Sequence, residues 1–171
     1  MKGGKRMNKF TAPSVGIAIL ISMLMIPFVN ATPSESVSGY WFYLPSSVVI
    51  TKTSGDNIFK SGDEDGVWSG SFVGTSEDHF EVIVHPMGFV TCQGRINFEG
   101  MVKGESGSMV ILFVGKKDLG TGLWSGKWVI LGGTDGLINL HGKGSWEGPG
   151  YQGGLDWGEL TYSGKIHFDP S

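Results

Sequence analysis

The sequence predicts an all-β chain, a sandwich or an up-and-down barrel of about eight or nine strands, preceded by an export signal. Three observations carry this. Apolar residues recur with a period of two in short stretches, and no longer stretch keeps an apolar stripe at helical spacing. The 29 glycines recur too often for helices to survive. Clusters of Gly, Asp, Ser and Asn separate the apolar stretches, as turns require.

Composition excludes several functional classes. With 40% apolar residues, 10 Phe, 6 Trp and 4 Tyr, the chain is too apolar for a disordered segment, and its Gly has no collagen period. One Cys in 171 residues excludes a disulfide scaffold and a four-cysteine zinc site. A formal charge of −3 argues against neutralisation of nucleic-acid phosphates.

The first element is the export signal. Lys2, Lys5, Arg6 and Lys9 form a basic start, and an apolar run from Val15 to Phe28 follows, interrupted by Gly16, Ser22 and Pro27. Val29 and Ala31 then supply the small residues of a cleavage site, so residues 1–31 read as a signal peptide and 32–171 as the domain. The alternative is an uncleaved anchor, for which the run falls short of the roughly 20 residues a spanning helix needs. Cleavage removes those four basic residues and leaves nine Lys and Arg against 16 Asp and Glu, a net charge of −7. The expected location is secreted or extracytoplasmic, with membrane contact only through a retained signal segment.

Within the domain, Val37–Leu44 and Ser47–Lys52 read as strands broken at Pro45. Gly55-Asp56-Asn57 and Gly62-Asp63-Glu64-Asp65-Gly66 read as turns, the second an acidic hairpin turn, and Val67–Thr75 resumes the strand pattern. Then come His79–His85, a turn at Pro86-Met87-Gly88, Phe89–Phe98, a turn around Lys103-Gly104-Glu105, Ser108–Gly115, a turn at Lys117–Gly120, and Leu123–Leu131. Gly132–Leu137 is compact enough for a helical turn, and His141–Trp146 and Leu160–Phe168 close the domain.

Alternation assigns the faces. Trp68 with Phe72, Phe80 with Val82 and Val84, and Val90 with Cys92, Gly94, Ile96 and Phe98 point inward. So do Trp124, Gly126, Trp128 and Ile130, and Leu160, Tyr162, Gly164, Ile166 and Phe168. Large side chains alternating with Gly fit the taper of a small closed barrel, and one polar face per long strand favours closure over stacked sheets. Closure removes strand edges, so any oligomer is expected to form through barrel sides or ends.

Several segments carry a family pattern. Ser106-Gly107-Ser108-Met109-Val110, Leu123-Trp124-Ser125-Gly126-Lys127-Trp128-Val129, Gly132-Gly133-Thr134-Asp135-Gly136-Leu137 and Gly142-Lys143-Gly144-Ser145-Trp146 resemble the C-terminal half of the DUF3224 family over residues 66–148. The resemblance implies a single eight-stranded antiparallel barrel of the allene oxide cyclase-like or dirigent-like kind around an apolar cavity. It implies no agreed activity, and no cyclase catalytic residue maps onto this chain.

Candidate polar sites weigh little. His79 and Glu81 share a face, with His85 just beyond, as a metal site or acid–base pair would need, but that face lies opposite Phe80, Val82 and Val84. Asp63-Glu64-Asp65-Gly66 lacks the spacing of a calcium loop. His141 and His167 fall on outer faces, and Lys116 and Lys117 on a turn. No cofactor or metal pattern stands out. Inside, Trp68, Phe72, Cys92, Trp124, Trp128 and Tyr162 converge with Met109 or Val110, and alternation brings no carboxylate to their faces.

Such an interior suits a small apolar ligand oriented by a hydroxyl and a thiol, and it equally suits a filled core in an exported structural barrel. A cofactor-independent cyclase or isomerase acting by shaping its substrate is the second reading. A carbohydrate-binding module is the third, with Trp41, Trp146 and Trp157 as candidate stacking platforms. Enzymatic activity is thus left open.

Overall fold

A computed structural model describes residues 32–151 and 158–170. Residues 1–31, where a signal peptide is expected, and Trp157 lie outside the described residues. Eight strands run in chain order: β1 (Glu35–Ser54), β2 (Asn57–Gly70), β3 (Phe72–His85), β4 (Phe89–Val102), β5 (Glu105–Asp118), β6 (Trp124–Gly133), β7 (Leu140–Tyr151) and β8 (Gly158–Phe168). Each pairs antiparallel with the next, and β1 pairs with β8, so a single sheet closes into a ring, a closed barrel. A 3₁₀ turn, Asp135–Leu137, falls inside the compact segment expected to hold one.

The strands outrun their expected lengths, for local reasons. Pro45 does not break β1: it sits at a register shift between Pro45 and Ser47, just past Tyr43, where pairing with β8 stops. A proline without an N–H is tolerated at such a bulge. The acidic turn expected at Gly62–Gly66 is strand interior. There Gly62 and Gly66 face inward and leave room for the Phe80 ring and for Trp41 Nε1, which lies 2.8 Å from where a Gly66 Cβ would stand. The true turn falls at Gly70-Ser71, where Gly70 has φ +100°, and it divides the expected Val67–Thr75 strand between β2 and β3. Lys116 and Lys117 likewise belong to β5 and not to a turn.

The interior is layered by rings set over glycines. Trp146 crosses Gly115 and Gly126, and Trp128 lies 2.6 Å from a Gly144 Cβ position, so none of the three glycines could carry a side chain without moving an indole. At the end that holds the β2–β3 and β4–β5 turns, Val102, Leu137, Leu140 and Ile166 are fully buried and fill the ring. The opposite rim carries the β1–β2, β3–β4 and β5–β6 turns. There β1 continues from Leu44 to Ser54 paired, among the described residues, with β2 alone. Among the described residues this stretch of β1 has a partner on one side only, β1 being 20 residues long and β8 11.

Candidate functional site

All six interior candidates point inward, but into two environments. Trp68, Phe72, Trp128 and Tyr162 form packed core: Phe72 stacks on Tyr162 at 4.9 Å, Trp68 lies 5.3 Å from Tyr162, and Trp128 meets Phe72 edge-on at 5.9 Å. The Tyr162 hydroxyl accepts the Phe72 N–H at 2.8 Å and donates to the Ser69 carbonyl at 3.2 Å. It pins the β2–β3 turn and is engaged by backbone. Burial raises its pKa. Of the Met109–Val110 pair, Met109 is the inward residue.

Cys92 and Trp124 stand apart from these four, at a cavity of about 120 Å³ in the mouth of the ring. Its wall is aromatic, with Trp41, Tyr43, Phe80, Phe113 and Trp146 beside Trp124, and Val82, Leu160 and Pro45 between them. Trp41 and Trp146 were expected to be candidates for exposed platforms and are 3% and 4% exposed. They lie on the inward parity of β1 and β7, edge-on to each other at 6.5 Å.

The cavity also holds a carboxyl. Glu64 lines it, and Asp78 is the register partner of Glu64 across the β2–β3 ladder, buried beneath. The expectation that no carboxylate shares the inner face is overturned by both. Burial pushes the Glu64 carboxyl up to about 8, with the Asp78 charge adding to the shift. Burial likewise pushes Asp78 up to about 7, against a stabilising hydrogen bond from Ser76. Trp68 Nε1 donates to Ser76 Oγ at 2.9 Å, and Ser76 Oγ donates to Asp78 Oδ2 at 3.2 Å. Asp78 Oδ1 and Trp41 Nε1 are buried with no partner among the described residues. Burial first, then the nearby Glu64 charge, pushes the Cys92 thiol up to about 12, so it is a thiol and no nucleophile at neutral pH.

Both carboxyls were readable by parity. Glu64 precedes the inward Gly66 and Trp68 by two and four residues, and Asp78 precedes the inward Phe80 by two. The turn-like composition of residues 62–66, and the position of Asp78 just before the apolar stretch that begins at Phe80, mask them in the sequence.

The outer histidines are engaged locally. His79 Nδ1 meets Asp63 Oδ1 at 2.8 Å and its Nε2 lies 3.4 Å from Ser61 Oγ, whereas Glu81 takes Gln93 Nε2 at 2.9 Å, so His79 and Glu81 do not act as a pair. His85 bridges Asn57 and Thr91. His141 and His167 stack at 5.4 Å on the outer face and share Asp169. Alternation splits the acidic run, with Asp63 and Asp65 outside and Glu64 inside, so its three carboxyls cannot converge on one ion.

No family model matches the sequence, and neither does any curated protein. A solved structure is similar: a protein of unknown function from the DUF3224 family of Shewanella oneidensis MR-1. It is 16% identical, the match covers 81% of this chain and 100% of that one, and the TM-score is 0.64. A likeness at this identity shows a shared fold.

Proposed function

We propose that this protein binds one small, largely apolar molecule in the mouth of its closed sheet. The observation that carries this reading is the cavity of about 120 Å³ with its aromatic wall and single carboxyl, above a filled lower interior. Apolar walls with one polar group are the usual makeup of a ligand site. The volume sets the size, since an engineered cavity of about 150 Å³ holds benzene. Native mass spectrometry of the protein as purified from its own source, followed by denaturation, tests it. A stoichiometric small-molecule mass released on unfolding supports the reading. An empty protein whose tryptophan fluorescence ignores saturating toluene removes it, and leaves the exported structural barrel.

Enzymatic action is a second reading, favoured by Glu64. A carboxyl that keeps its proton near neutral pH in an apolar cavity can give a proton and take one back without a cofactor, as a cyclase or isomerase needs. Incubating the released ligand with the protein in deuterium oxide tests this: deuterium incorporation that Glu64→Gln abolishes supports isomerisation, and none at all leaves binding alone. The carbohydrate-module reading is disfavoured by the burial of Trp41 and Trp146.

Membership of the DUF3224 family, with an allene oxide cyclase-like barrel, is part of the proposal, supported by the fold likeness and by the motifs between Ser106 and Trp146. Export with cleavage after Ala31 is also part of it, supported by the basic start and apolar run. A mature N-terminus at Thr32 on the exported protein is the expected result.

A further inference from the structure

The described interior holds three buried polar side chains, Glu64, Ser76 and Asp78, of which two are carboxyls and none is basic. The ion pairs among the described residues involve neither carboxyl. Two carboxyls in an apolar interior without a cation are an unusual choice, because an ionised carboxylate is costly to bury unpaired. A neutral apolar guest gives Glu64 no partner. A cationic one does.

The wall around Glu64 suits the same guest. Trp41, Tyr43, Phe80, Phe113, Trp124 and Trp146 surround the cavity, and aromatic cages are the recognition chemistry of organic ammonium groups. The chain supplies an instance at the rim, where Lys117 Nζ stands 5.7 Å from the Trp124 ring centroid. The volume of about 120 Å³ admits an ammonium head of single-ring size and no long chain. The formal charge of −3 favours approach of a cation.

We propose that the cavity takes a small organic cation, an alkyl- or arylammonium head, held within the aromatic wall with the Glu64 carboxylate as its counter-ion. This rests on the binding reading above and names its ligand class. As the cation enters, Glu64 releases its proton to solvent, so affinity for a permanently charged guest rises with pH. Among the described residues, the other titratable groups around this space are Tyr43 on β1 and Cys92 on β4 in its lining, Lys117 on β5 at the rim, and Asp78 on β3, the buried ladder partner of Glu64.

Titrations of the purified protein with tetramethylammonium and with the uncharged tert-butanol, followed by tryptophan fluorescence and calorimetry, test the proposal. The cation is expected to bind about tenfold or more tightly than the alcohol at about pH 9, and to weaken about tenfold at about pH 6. Glu64→Gln should bring the cation down to about the alcohol's affinity and abolish the pH dependence of its binding. Trp124→Leu, a rim change, should weaken the cation about fivefold and the alcohol less than about twofold. Alcohol binding equal to or tighter than cation binding, or cation binding indifferent to both pH and Glu64→Gln, overturns the cation and leaves the binding reading standing. Binding of neither probe, nor of toluene, overturns both.

Discussion

Glu64 on β2 and Asp78 on β3 are direct partners across the ladder, and both side chains point into the closed sheet, 7% and 3% exposed. Each holds its proton to higher pH in the folded protein, about 8 for Glu64 against an ordinary 4.5 and about 7 for Asp78 against 3.8. Below the ordinary values both states are protonated and the carboxyls do not weaken the fold. Above them the unfolded chain ionises first, so stability falls as pH rises through the window that ends near 8. The slope is about 1.4 kcal/mol per pH unit for each group. Urea unfolding at about pH 5 and about pH 8 should show wild type markedly weaker at the higher pH, and the stabilisation by Glu64→Gln growing from the lower pH to the higher. A wild-type stability that is level across this window sinks the assignment.

Tyr162→Phe should destabilise by about 1–3 kcal/mol. The change removes an acceptor for the Phe72 N–H and a donor to the Ser69 carbonyl, and leaves a buried amide unpaired at the β2–β3 turn. Ligand affinity at the mouth should stay as in wild type, because Tyr162 is absent from the cavity wall. A loss of affinity without a loss of stability contradicts this division of roles.

Two glycines should respond oppositely to alanine. At Gly144 a Cβ would run into the Ser163 carbonyl and stand 2.6 Å from the Trp128 ring, so Gly144→Ala should cost about 2 kcal/mol or more. At Gly132 nothing lies within 4 Å, and Gly132→Ala should stay within about 0.5 kcal/mol of wild type. Denaturant midpoints of the two variants read this directly. Equal effects show that Trp128 does not pack over Gly144.

Cys92 should resist alkylation. Its thiol is pushed up to about 12, and it is partly buried beside Glu64. Iodoacetamide at about pH 8 should label the native protein at least about a hundredfold more slowly than the unfolded chain, whose thiol sits near its ordinary value. Labelling at comparable rates shows an ionised, accessible thiol.

Much of the barrel was legible because β-structure writes itself as alternation. Cys92 with Ile96 and Phe98, Trp124 with Trp128, and Leu160 with Tyr162 each fall on the inward parity that the sequence indicates. The glycines spaced between them correspond to real ring-sized spaces, as at Gly126 under Trp146. Less legible was where strands end. Gly62 and Gly66 have the composition of a turn, yet inward glycines opposite large rings serve packing, and only the neighbouring strand shows which role applies.

The candidate site was half visible for the same reason. Alternation puts Cys92 and Trp124 on the inner face, where the structure has them at the cavity, whereas Trp68, Phe72, Trp128 and Tyr162 are packed core. Glu64 lies in a segment with the composition of a turn, and Asp78 falls between the two expected strands Val67–Thr75 and His79–His85, so local pattern places neither on an inward face.

The all-β class and the facing of most strands follow from local order alone, since period-two alternation needs no knowledge of the neighbouring strand. Which inward residues pack solid and which border space is settled by long-range assembly, because filling depends on how the strands of the ring bring side-chain rings and glycines to the same level. That assembly also decides that two carboxyls sit inside the ring, since the β2–β3 register is a long-range pairing that no single strand records.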